Sequence, residues 1–173
     1  MHRPAVLLCA AALAGLAAER VIAQADDTLE TLLHFRECPL NLYLKTMYER
    51  PARIDGHSPF LTVTVSERPA AFVRCTFSDS AIICKASAFY GGVDSGKESL
   101  STESVAALQK LGFIAAPGGK NLTYRRAFSD KPDFDAIAVL MLAALHDAYG
   151  VNANTELDTE VPFVGNLITV CRY

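Results

Sequence analysis

From Leu61 to Val65, apolar residues alternate with threonines, the two-residue period of a strand with one buried face. Ala71 to Phe77 and Ile82 to Phe89 carry the β-branched and aromatic content of two further strands, and the Ser78-Asp79-Ser80-Ala81 stretch between them supplies turn residues. A hairpin follows in which facing residue numbers sum to 159, whether its loop has two residues or four. The period changes elsewhere. Thr28 to Glu37 places Leu29, Leu32, Leu33 and Arg36 at helical spacing, with Pro39 expected to end the helix. Leu40 to Tyr48 reads equally as a second helical segment or a strand, and Pro51 to Pro59 is a loop rich in breakers.

A middle helix is predicted over Ser101 to Gly112, with Ser101 as its N-cap, Val105, Leu108 and Leu111 as its stripe, and Gly112 in the left-handed position after its end. Tyr124 to Phe128 reads as a short strand. The longest helix runs from Asp133 to Gly150, with acids near its positive end and Ile137, Leu140, Met141, Ala144, Leu145 and Ala148 facing the core. One or two strands within Thr155 to Cys171 complete the order. The expected class is α+β: an antiparallel sheet packed by an N-terminal helix, a middle helix and a long C-terminal helix.

The first residues change the compartment. Arg3 is followed by small and apolar residues from Ala5 to Ala18 and then by Ala23-Gln24-Ala25, the layout of a secretory signal cleaved after Ala25. The apolar run is shorter than the roughly 20 residues a spanning helix needs. The reading is therefore a signal peptide at 1–25 and one α+β domain at 26–173, periplasmic or secreted, with no membrane span after processing. Loss of Arg3, Arg20 and Glu19 with the signal takes the net charge from −3 to −4, which offers no overall attraction to nucleic acid or an anionic membrane.

Four of the five cysteines remain after processing: Cys38, Cys75, Cys84 and Cys171. An even number in an oxidising compartment favours disulfides, and neither a C-x-x-C redox pair nor a two-plus-two zinc spacing is present. In the hairpin register Cys75 faces Cys84 at a non-hydrogen-bonded pair, where Cα atoms approach to about 4.5 Å, within disulfide range. Two buried free thiols are the alternative. Cys38 and Cys171 are left to pair if the ends of the domain meet in space.

Catalytic chemistry finds little purchase. Gly91 to Lys97 matches the G-x-x-x-x-G-K pattern of a phosphate-binding loop, but Glu98 stands where Ser or Thr would hold magnesium, and the next helix starts too late to present its amino end. A glycine-rich surface loop is the preferred reading. His34 with Cys38, and His146 with Asp147, lack a third partner in sequence, so neither a metal nor any other cofactor is expected. Asn121-Leu122-Thr123 fits the glycosylation triplet, which matters only in a cell that glycosylates asparagine. The basic residues say more: Arg74 faces Lys85 across the hairpin, on the side opposite the cysteines. Like charges there are unfavourable unless an acid neutralises them, and otherwise this face, extended by Arg125 or Arg126, suits an acidic peptide segment or another anion.

The succession FVRCTFSDSAIICKASAFY, LSTESVAALQKLGF, NLTYRRAFSD and DFDAIAVLMLAALHDAYG, over roughly residues 60 to 150, resembles the TY-Chap and YbjN-like group, relatives in fold of type III secretion chaperones. The resemblance implies an antiparallel sheet packed by helices and a role in protein interaction or regulation, with a protein partner and no covalent chemistry. A homodimer stays open. The export signal departs from the cytoplasmic work of secretion chaperones. The alternative is an envelope enzyme or small-anion binder using the face near Arg74 and Lys85.

Overall fold

The computed structural model describes residues 28–49, 58–78, 80–90, 98–115, 120–162 and 171. The proposed signal at 1–25 and the glycine-rich loop at 91–97 lie outside them. Helix α1 (Leu29–Glu49) is followed by β1 (Phe60–Val65), β2 (Arg68–Ser78), β3 (Ala81–Ser87), β4 (Phe89–Tyr90) and β5 (Glu98–Ser99). Then come α2 (Thr102–Lys110), β6 (Ile114–Ala115), β7 (Asn121–Ala127), α3 (Phe134–Tyr149) and β8 (Leu157–Glu160). Six strands form an antiparallel sheet in the order β6-β7-β3-β2-β1-β8, and β4 pairs with β5 separately. The class is α+β, as the patterning predicts.

Pro39 does not end α1; the helix continues through it for 21 residues in all. A proline inside a helix removes a hydrogen bond and crowds the carbonyl four residues back, at about 3 kcal/mol or more. Leu32, Leu40, Leu44 and Met47 lie on one buried face that runs past the proline, and full burial of such a side chain is worth about 1.5–3 kcal/mol. Three of those four residues follow Pro39, so tertiary burial outweighs the local cost, and the ambiguous stretch Leu40 to Tyr48 is helical.

Alternation decides which way the sheet faces. Leu61, Val63 and Val65 of β1, Ala71, Val73 and Cys75 of β2, Ile82, Cys84 and Ala86 of β3, and Leu122 of β7 all belong to the buried core. The helices supply the other side of that core. α3 packs against both α1 and α2, and the Asn41 amide donates to the Asp135 carboxylate between α1 and α3. β7 starts earlier than Tyr124 because Leu122 pairs with Ala86 and is buried.

Both later helices have the expected ends. The Ser101 hydroxyl accepts from the Ser104 N–H at 3.1 Å, and Gly112 takes φ +91° after α2. The Asp133 carboxylate accepts from the Ala136 N–H at 3.0 Å, and Gly150 takes φ +65° after α3. Ile137, Met141, Ala144, Leu145 and Ala148 are buried, whereas Leu140 is only partly so and packs at the core margin.

Candidate functional site

In the β2–β3 pairing Arg74 stands opposite Lys85 and Cys75 opposite Cys84, the register read from the hairpin. Cys75 and Cys84 point into the core, fully buried, and are joined in a disulfide with Cα atoms 4.0 Å apart. Cys38, on α1, is joined to Cys171 with a Cα separation of 6.0 Å across 133 residues of sequence. His34 therefore has no free thiol beside it for a shared site. Among the described residues no three His, Cys, Asp or Glu side chains converge as a metal site would require.

The opposite side of the sheet is the one that α1, α2 and α3, the helices among the described residues, leave uncovered, and its registers align one residue from every strand of the six-stranded sheet. Glu160 of β8 pairs with Thr62 of β1, Thr62 with Arg74, Arg74 with Lys85, Lys85 with Thr123 of β7, and Thr123 with Ile114 of β6. In the adjacent row Phe60, Thr76, Ile83 and Arg125 are neighbours. Lys85 and Arg125 are thus diagonal neighbours on facing strands. Arg125 extends the basic face, and Arg126 does not: successive side chains of a strand point to opposite sides, so Arg126 falls on the side of Ile82 and Tyr124.

The cations differ in how they are engaged. Arg74 donates from Nε to the Thr62 hydroxyl at 2.7 Å, lies 3.6 Å from the Glu160 carboxylate, and sets its guanidinium 4.3 Å above the Phe60 ring. One acid thus neutralises one member of the like-charge pair. Lys85 and Arg125 are exposed and form no ion pair among the described residues. The sequence leaves Glu160 unplaced, because Leu157 to Glu160 holds a single apolar residue and so too little alternation to fix a register.

Other features lie on the helix side of the sheet. Tyr149, the last residue of α3, is 2 % exposed, and its hydroxyl donates to the Ser87 carbonyl at 2.5 Å with the Phe72 carbonyl 3.5 Å away. It pins the helix layer to the end of the β2–β3 pair, and burial pushes its ionisation well above the ordinary range. On the helix side, a cleft of about 270 Å³ opens between the end of β7 and the start of α3, lined by Ile82, Phe128, Pro132 and Ile137 with Arg126 and Lys131 at its edge. A shallower groove of about 370 Å³ runs along α1 past His34, Cys38 and Leu42 to Asp135. His146 bonds its neighbour Asp147 at 2.7 Å, and neither cavity joins it to Arg74 or Lys85.

Residues 39–162 match the family model TY-Chap3, described as T3SS (YopN, CesT) and YbjN peptide-binding chaperone 3. The chain belongs to the TY-Chap3 family. The match runs from Pro39 in α1 through the whole six-stranded sheet and beyond β8, wider than the stretch that carries the resemblance in sequence. No curated protein and no solved structure matches significantly. TY-Chap3 membership supports a protein-interaction module with a protein partner, in a family that is generally non-enzymatic.

Proposed function

We propose that this chain is an exported, non-enzymatic module that holds a segment of a partner protein on the helix-free face of its sheet. The observation that carries the reading is that face itself. It is opposite the core, left uncovered by α1, α2 and α3, and it presents Lys85 and Arg125 without ionic partners among the described residues. The family's description as a peptide-binding chaperone supports a protein segment as the ligand. Export is supported by the signal-like residues 1–25 and by two disulfides, which persist in oxidising compartments. No helix among the described residues is long and apolar enough to cross a membrane.

The test is capture from an envelope fraction, with and without reductant, by the wild-type chain and by a K85E/R125E double variant. The expected result is a discrete partner protein held by the wild type and released by the variant. Light scattering of the complex counts the copies of this chain in it. Capture unchanged by the double variant would remove the face as the site, and turnover of a small substrate that depends on His34 or His146 would overturn the non-enzymatic reading.

A further inference from the structure

The two halves of the helix-free face are electrostatically unlike. On the β8 side, Arg74 is already occupied by Thr62, Glu160 and Phe60, and Asp158 stands on the same side as Glu160, opposite Thr64. An acidic ligand meets carboxylates there. On the β6 side, Lys85 and Arg125 have no ionic partner among the described residues, and the row ends in Ile114, 73 % exposed, more so than any other large apolar side chain described. A lone exposed isoleucine is ordinary. One that ends the row containing Lys85, with Arg125 diagonal to that lysine and neither cation paired among the described residues, is a composite surface.

We infer that the β3–β7–β6 half of the face is the binding half, and that its ligand is an extended acidic segment carrying an apolar side chain beside its carboxylates. This rests on the reading that the face holds a protein segment. Lys85 and Ile114 are separated by one intervening strand, so their Cα atoms lie about 10 Å apart at ordinary strand spacing, the reach of about three residues of extended chain. A carboxylate over Lys85 and an apolar side chain over Ile114 therefore fit one short segment, with Arg125 placed to take a second carboxylate. The acids of β8 discriminate against shifting that segment toward the other edge, since like charges brought together select against the wrong placement.

The probe is a labelled nine-residue peptide with two glutamates flanking a leucine, the remaining positions threonine and glycine, followed by fluorescence anisotropy. Two control peptides replace both glutamates by glutamine, or the leucine by serine. Rim charge pairs are worth up to about 1 kcal/mol, so K85E and R125E should each weaken binding of the parent peptide by up to about fivefold, and added salt should do the same. I114S should weaken the parent peptide about fivefold and leave the serine peptide unaffected. E160Q, which alters only the β8 side of the face, should leave binding of the parent peptide unchanged, and tightening through a freed Arg74 would place the ligand on the β8 half instead. A peptide with lysines in place of the glutamates should prefer the K85E/R125E chain, a reversal that misfolding cannot mimic.

Equal binding of the glutamate and glutamine peptides would overturn the acidic-ligand inference while leaving peptide holding intact. If neither these peptides nor a panel of unrelated segments binds, the peptide-holding reading falls and the inference falls with it.

Discussion

Replacing Tyr149 by Phe keeps the buried ring and removes only the hydroxyl that donates to the Ser87 carbonyl at 2.5 Å. A buried acceptor left without its donor costs about 1–2 kcal/mol, so Y149F should be less stable than wild type by that amount at pH 7. The pH dependence makes the test sharper. In the unfolded chain the phenol ionises near its ordinary value of 10.0, whereas burial raises its ionisation in the native state. Above about pH 10 the unfolded state binds fewer protons than the native state, so this group makes stability fall with rising pH, by about 1.4 kcal/mol per unit. Below pH 10 both states are protonated and the contribution is constant. Y149F lacks the titration altogether. The gap between the two proteins should therefore hold steady from pH 7 to 9.5 and close near about pH 11. Denaturant unfolding at a series of pH values measures it, with the disulfides kept oxidised in both proteins. A gap that stays constant through pH 11 would refute the argument, because it would mean that the Tyr149 hydroxyl ionises in the native state as readily as in water.

Reversing Arg74 to Glu should cost about 1–2 kcal/mol, through loss of its bond to Thr62 and its place over Phe60, while K85E changes stability by no more than about 0.5 kcal/mol; equal costs in thermal unfolding would show that Arg74 is as free as Lys85. Non-reducing peptide mapping should link Cys75 to Cys84 and Cys38 to Cys171, and free thiols at the first pair would defeat the assignment. By the chain-entropy relation, removing the Cys75–Cys84 bridge should cost about 3 kcal/mol and removing Cys38–Cys171 about 5 kcal/mol, an order that unfolding of the two double-alanine variants checks. Asp133→Ala should destabilise by about 1 kcal/mol through loss of the α3 cap. The mass of the mature chain should place Asp26 first; a chain that retains residues 1–25 in a membrane fraction would contradict export.

Short-range patterns carried much of the fold. The β2–β3 register could be read because a turn of small polar residues sits between two apolar runs, so every facing pair follows from one connection. Ser101, Gly112, Asp133 and Gly150 mark helix ends because capping is chemistry local to a few residues. Pro39 misled because its cost is local and the burial that offsets it is not: Leu40, Leu44 and Met47 meet the core only once α3 is in place. The basic face was legible in part for the same reason. Arg74 opposite Lys85 follows from the hairpin, but the arrival of Glu160 at Arg74 depends on β8 pairing with β1 about a hundred residues away in the chain. Ile114 could not be placed either, since two residues of β6 are too few for a periodic signal and its position follows from pairing with β7.

The pairing of Cys38 with Cys171 has a consequence for the order of events as the chain emerges amino end first. Cys38 comes out earliest and its partner last, with Cys75 and Cys84 appearing in between. For most of that time the nearest available thiol for Cys38 is Cys75, and consecutive oxidation would make a Cys38–Cys75 bridge that shuts Cys84 out of the hairpin. Reaching the native connectivity then requires either that the hairpin close first, trapping its own two cysteines in the core, or that a thiolate reopen the wrong bridge by exchange. Rapid local pairing across a short turn favours the first route. By that route the hairpin disulfide would edit connectivity, withdrawing two reactive groups early so that the pair joining the ends has only one choice left.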